Sequence, residues 1–106
     1  MPKQEPLTES YFYILLCLYK ENLHGYGIMQ KTKELSEGKV AIGAGTMYGA
    51  TSNMMKKGWI EEILEETKDE RGKRLYQLTE KGKTVLKQEV VRLENLITNA
   101  KSIMEN

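Results

Sequence analysis

The sequence predicts a mainly α fold with a small β-hairpin, in the α+β class. Three observations lead there. Apolar residues recur at helical spacing in three short segments and one long one. Two runs rich in β-branched and aromatic residues, Trp59–Glu66 and Lys73–Thr79, flank a polar turn at Thr67–Gly72. The segments also follow one another in a consistent order, α-α-(β)-α-β-β-α.

Each element has a local cause. Met1–Pro6 is polar, holds both prolines and reads as a loose arm. Thr8 can cap a first helix, and Glu9 suits the positive end of its dipole. Tyr11, Ile14, Leu15 and Leu18 follow at helical spacing, and Asn22–Gly25 breaks that helix. A second helix runs from about Tyr26 to Ser36, with Ile28, Thr32 and Leu35 on one face, and Gly38 ends it. The link Lys39–Ala44 carries Val40 and Ile42, enough for a minimal strand. A third helix opens at Gly45, with Thr46 as its cap, and closes on Lys56-Lys57-Gly58. Trp59 should pack where that helix meets the next strand. Tyr76 and Leu78 share one face of the second strand, the face that meets the core. Thr79 caps a last helix that runs to about Met104. Three short helices and a hairpin describe a winged helix-turn-helix over residues 1–79. Residues 80–106 form a C-terminal dimerisation helix packed with it.

Composition sets limits on function. At 106 residues the chain is one domain, and 40% hydrophobic with 29% charged residues makes it globular. No apolar run is long enough to span a bilayer, and no signal-peptide pattern opens the chain. The single cysteine, Cys17, sits between Leu16 and Leu18 and reads as buried packing in a reducing, cytoplasmic setting. The lone histidine, His24, has no cysteine or clustered carboxylate at ligand spacing and reads as a turn residue at the second-helix start. No phosphate-binding glycine loop is present. Glu61, Glu62, Glu65 and Glu66 fit solvated strand edges better than a catalytic pair. The expectation is therefore a non-enzyme with no metal and no cofactor. Net charge is +1, so a nucleic-acid function must rest on local charge.

Two stretches are candidates, the third helix and the loop of the hairpin. With successive residues about 100° apart, Met47, Ala50, Thr51 and Met54 share a core side, with Met55 at its margin. Tyr48, Gly49, Ser52, Asn53 and Lys56 share the other side. They offer hydroxyls, an amide and a cation, groups that contact base edges and phosphates. At the helix start, free backbone N–H groups favour a phosphate oxygen near Thr46. Gly45 and Gly49 allow close backbone approach. The next loop holds Arg71, Lys73 and Arg74, cations that can straddle a phosphate backbone. The plainer alternatives are an ordinary amphipathic surface helix and a solvated turn, since Glu65, Glu66, Asp69 and Glu70 nearly cancel the loop's charge.

Three stretches together resemble the PadR family of bacterial transcriptional regulators. They are His24-Gly25-Tyr26-Gly27-Ile28, Gly45-Thr46-Met47-Tyr48-Gly49-Ala50 with Lys56-Lys57-Gly58-Trp59-Ile60, and Gly72-Lys73-Arg74-Leu75-Tyr76-Gln77-Leu78-Thr79-Glu80-Lys81-Gly82. The resemblance covers about residues 8 to 88. It implies a winged helix-turn-helix repressor that dimerises through its C-terminal helix. It also implies DNA contacts from Thr46–Tyr48 and from the basic wing. Where family members often have an arginine or leucine pair in helix three, this chain has Ser52, Asn53, Met54 and Met55.

In the last helix, Leu86, Val90, Leu93, Ile97, Ala100 and Met104 recur in alternating steps of four and three, an a/d heptad pattern. Leu96 and Ile103 widen the stripe. A helix from Glu80 to Met104 would be roughly 37 Å long, more than one small domain covers. The alternatives are a second copy or a helix folded back on its own domain. The expected partners are thus double-stranded DNA and a second copy of the chain, with no membrane. A small-molecule effector is a further role, because Tyr11, Tyr13 and Tyr19 could line a pocket with the last helix or simply be core. The rival reading is a winged-helix protein-interaction module without sequence-specific DNA binding.

Overall fold

The computed structural model describes residues 5–64 and 74–105. Its elements are α1 (Glu9–Cys17), β1 (Leu23–His24), α2 (Gly25–Leu35), α3 (Ala44–Lys56), β2 (Ile60–Leu64), β3 (Arg74–Leu78) and α4 (Glu80–Met104). The strands make one antiparallel sheet in the order β1-β3-β2. This is the mainly α, small-β arrangement that the sequence predicts. The hairpin turn Thr67–Gly72 and most of the N-terminal arm lie outside the described residues.

Local chemistry explains most boundaries. Thr8 caps α1 by accepting from the Tyr11 N–H at 3.1 Å, and Thr79 caps α4 by accepting from the Gly82 N–H at 3.0 Å. At the end of α2, the Gly38 N–H reaches the Lys33 carbonyl and the Glu37 N–H reaches the Glu34 carbonyl. That pair is a Schellman ending, which puts Glu37 and Gly38 at positive φ. The end of α3 repeats the device. Trp59 N–H bonds the Met54 carbonyl at 2.9 Å, across Gly58 at φ 77°.

Three expectations need correction. The third strand is Leu23–His24, paired with Tyr76 and Leu75, and Val40–Ile42 is not a strand. Ile42 is buried and Val40 packs on the core from a loop, which explains their apolar character. Helix α1 ends at Cys17, before the Asn22–Gly25 breaker, with Leu18 as its cap residue. On α2, Ile28 and Thr32 are buried but Leu35 is exposed. Ser36 takes the buried position instead, where its hydroxyl accepts from the Val40 N–H at 2.9 Å.

One core joins all the helices and the sheet. It includes Ile14, Leu15 and Leu18 of α1, Ile28 of α2, Met47, Ala50 and Met54 of α3, Ile60, Tyr76 and Leu78 of the sheet, and Leu86 of α4. Cys17 is buried within it, with Sγ 3.6 Å from the Thr32 hydroxyl, and burial pushes its thiol pKa up. The start of α4 is tied in closely. Thr79 Oγ1 donates to the Gly58 carbonyl at 2.6 Å, and the Thr79 N–H donates to the Trp59 carbonyl at 3.0 Å. Gly82 lies against that same Trp59 carbonyl, where any Cβ would clash with its oxygen and fall 2.6 Å from Leu78 Cδ1.

Where α4 passes α1, the side chain of Glu89 is buried, with only 1% of the residue exposed. It accepts two 2.7 Å hydrogen bonds from Arg92 and one of 3.0 Å from the Leu7 N–H. This bidentate pair holds the Arg92 pKa above its ordinary value. Nothing in the heptad pattern signals it.

Mutations at these packed points should separate tight sites from open ones. Gly82→Ala should destabilise the fold by roughly 1–3 kcal/mol in denaturant melts, because backbone cannot yield to the new methyl. Gly49→Ala, which meets nothing within 4 Å, should instead stabilise it by about 0.5–1 kcal/mol through helix propensity. Arg92→Met should lower the melting temperature by stranding the buried Glu89, and adding Glu89→Leu should restore most of it, as a buried pair replaced whole by apolar groups is tolerated.

Candidate nucleic-acid interface

Helix α3 divides as its sequence requires. Met47, Ala50, Thr51 and Met54 are buried, and Met54 is fully inaccessible. Thr51 tolerates burial because its hydroxyl donates to the Met47 carbonyl at 3.0 Å. On the other side Tyr48 is 68% exposed. Thr46, Gly49 and Lys56 are exposed with it, and Ser52 is half-buried.

Two site residues differ from expectation. Thr46 does not cap α3. The helix starts earlier, at Ala44, with Gly43 as the cap residue and no side-chain cap bond. Thr46 lies inside the first turn. Asn53 is half-buried rather than fully outward, and its amide donates to the Tyr11 hydroxyl at 2.9 Å. It ties α3 to α1. The sequence spacing placed Asn53 on the polar arc but could not show which helix lay beside that arc.

Helix ends set the electrostatics. Helices α1 and α4 begin with a threonine cap and an acid, Glu9 or Glu80. Helices α2 and α3 begin with neither a side-chain cap nor an acid in the first turn. Their starts adjoin, since a Cβ on Gly25 would lie 3.8 Å from Met47 Cγ. Neither positive helix end has a carboxylate in its own first turn to offset it.

The wing is described in part. Arg74 is exposed at the start of β3 and pairs with Glu62 at 3.3 Å. Its carbonyl lies 3.0 Å from His24 Nδ1, which places His24 in the sheet rather than in a turn. Arg71 and Lys73 lie outside the described residues. Trp59 packs at the helix–strand junction, with Lys57 Nζ 5.3 Å from its ring centre.

The apolar stripe of α4 changes character along its length. Leu86 is 2% exposed and belongs to the chain's own core, which corrects its expected place in a dimer seam. Val90 edges a groove and Leu93 is half-buried. Ile97, Ala100 and Met104 are exposed, as are Leu96 and Ile103. The groove, about 500 Å³, lies between α1 and α4 and is lined by Leu16, Tyr19, Leu86, Lys87, Val90 and Val91. Tyr13 lines a second hollow of about 270 Å³ beside Glu89 and Arg92. Tyr11 is turned to Asn53. The three tyrosines thus do not share one pocket. Among the described residues no cluster of side chains could hold a metal ion, and no helix is long and apolar enough to cross a membrane.

Residues 14–88, which span α2, α3, the sheet and the start of α4, match the profile of the transcriptional regulator PadR-like family. The chain belongs to that family. Family membership makes it a transcriptional regulator rather than an enzyme. Solved structures carry the same fold. A transcriptional regulator from Clostridium thermocellum superposes with a TM-score of 0.77 at 22% identity, covering 88% of this chain and 87% of that one. A PadR family transcription regulator from Clostridium difficile gives 0.68 at 25% identity, covering 93% and 100%. Bacillus subtilis PadR, solved in complex with operator DNA, gives 0.73 at 24% identity, covering 82% of this chain and 49% of that one. No curated protein matches the chain.

The two faces of α3 can be separated by mutation in this PadR-family chain. Tyr48→Ala should change stability by no more than about 0.5 kcal/mol and cost roughly 1–3 kcal/mol of specific DNA affinity. Met54→Ala should destabilise the fold by roughly 2–5 kcal/mol. Melting temperature and DNA affinity, measured for both variants, check the assignment.

Proposed function

We propose that this chain is a DNA-binding repressor that acts as a homodimer. The observation that carries the reading is the polar side of α3, where Tyr48, Gly49 and Lys56 are exposed and Ser52 is half-buried, on a helix whose start has neither a side-chain cap nor an acid in its first turn. A duplex meets hydrogen-bonding side chains for base edges and a positive helix end for phosphates. Thr46 is in the same first turn. Asn53 contributes through the hold it gives Tyr11, and Arg74, with Arg71 and Lys73, reaches the flanking backbone. Bacillus subtilis PadR, solved in complex with operator DNA, supports a DNA-binding role. Repression is what the resemblance to the family implies.

The dimer rests on α4. Beyond Arg92 its exposed Leu96, Ile97, Ile103 and Met104 form an apolar stripe that calls for cover. A second copy supplies the same stripe, and a two-fold protein suits two half-sites. The groove beside Tyr19 and Val90 favours an added role for an apolar effector, which would bind where α1 meets α4.

Selection of enriched sites from random duplex DNA tests the reading. A recovered motif supports it, and no enrichment at low salt points to the protein-interaction module. For the dimer, Ile97→Asp with Ile103→Asp should yield monomers in sedimentation while leaving helix content unchanged, since both side chains are exposed in the single chain. For the wing, alanine at Arg71, Lys73 and Arg74 should weaken binding to all duplexes alike. The salt slope should fall by about one unit for each phosphate that is no longer neutralised.

A further inference from the structure

We infer that His24 is the positioning residue of the wing. Its Nδ1–H bond to the Arg74 carbonyl fixes where Arg74 sits at the end of the sheet, and so where the Arg74 guanidinium meets the DNA backbone. The inference rests on the reading of Arg74 as a backbone contact and adds a residue that acts through it without touching the duplex.

The bond departs from what a helix-start residue ordinarily does. His24 stands at the N-cap position of α2, with extended backbone at φ −78° and ψ 161°, yet its side chain makes no cap bond. A side chain at that position commonly accepts from the N–H groups of the first turn. The His24 ring is turned to the sheet instead, where Nδ1 lies 3.0 Å from the Arg74 carbonyl oxygen. A carbonyl only accepts, so Nδ1 must carry the proton. That selects one of the two neutral tautomers. The bond also survives protonation of the ring, since both nitrogens then donate.

The place of the bond gives it a purpose. Strand β1 has only two residues, and its ladder ends at the pair His24–Leu75, because the chain then enters α2. The ring reaches one residue farther along β3, to Arg74, the first residue of that strand. Arg74 is thus held from both neighbouring strands. His24 of β1 holds its backbone, and Glu62 of β2 meets its Nε at 3.3 Å. Glu62 pairs across the ladder with Tyr76, two residues from Arg74, so the ion pair is a diagonal cross-strand contact. The Arg74 side chain is 58% exposed, and an exposed ion pair alone holds little. The backbone bond from His24 supplies the firmer constraint, and a group held before its ligand arrives loses less freedom on binding. Because His24 also opens α2, whose start adjoins that of α3, its ring relates the wing cation to the reading helix.

The test measures binding of variants of the 106-residue chain to a mixed-sequence duplex, with the melting temperature of each. His24→Asn puts an amide N–H near the place of Nδ1, whereas His24→Gln puts its amide one atom farther out, nearer the place of Nε2. His24→Ala and His24→Gln should bind about three- to tenfold more weakly, and His24→Asn should keep most of the wild-type affinity. With Arg74→Ala already in place, His24→Ala should cost nothing further, the mark of a residue that acts through Arg74. His24 is the chain's one histidine, so its imidazole nitrogen shifts are unambiguous, and the neutral ring should be the Nδ1–H tautomer. Wild-type affinity of His24→Ala, where Arg74→Ala still weakens binding, overturns this inference and leaves the wing reading standing. A His24→Ala loss that persists in full beside Arg74→Ala also overturns it, since His24 would then act on the duplex or the fold by another route. Equal losses in His24→Asn and His24→Gln, or an Nε2–H ring, overturn it as well. A wild-type chain that binds no duplex, or an Arg74→Ala variant that binds as wild type, overturns the wing reading and this inference with it.

Discussion

The fold turns on one junction, where Gly58, Trp59, Thr79 and Gly82 meet. Thr79 has three tasks there. Its hydroxyl donates to the Gly58 carbonyl, accepts from the Gly82 N–H, and its backbone N–H reaches the Trp59 carbonyl. Gly82 brings the backbone of α4 against that carbonyl with no room for a side chain. The end of α3, the start of β2, the end of β3 and the start of α4 are therefore fixed at a single point. A shift at any of them would break a hydrogen bond or force backbone into backbone.

That constraint links the two functional ends of the chain. Helix α3 carries the outward polar face, and α4 carries the uncovered apolar stripe. Because both leave the same junction, the direction of α4 is set relative to α3 by hydrogen bonds rather than by a loop. Farther along, Glu89 and Arg92 fasten α4 to the start of α1 through the Leu7 N–H. A buried carboxylate is costly unless it is fully paired, and here the Arg92 fork and a backbone donor pair it. The pairing marks where α4 stops being core. A second copy docked on the outer half would inherit an orientation already fixed by these two anchors.

Much of this was legible in the sequence. The threonine caps of α1 and α4, the glycine closing α3 and the alternation of Tyr76 and Leu78 have short-range causes, and they appear as the sequence predicts, whereas Thr46 is not a cap. The core face of α3 was readable because its period is that of the helix. Other features depend on neighbours distant in the chain. The two-residue strand Leu23–His24 is too short to show a period and exists only because β3 lies beside it. Asn53 was placed on the polar arc, yet Tyr11 of α1 claims its amide. Leu86 fits the heptad, but heptad spacing does not distinguish a residue packed on its own domain from one that awaits a partner. Glu89 gave no signal beyond an arginine three residues later. For the site itself, composition supplied the residue types and helix geometry supplied the face. The adjoining starts of α2 and α3 emerged only from the tertiary packing.

The side bearing the starts of α2 and α3 should meet DNA, while the outer half of α4 should not. Amide chemical-shift mapping of the 106-residue chain on addition of a mixed-sequence duplex tests this most directly. Perturbations are expected at the starts of α2 and α3 and along β2 and β3, with α4 beyond Arg92 unchanged. Perturbations gathered on the outer half of α4, with the start of α3 silent, would contradict it.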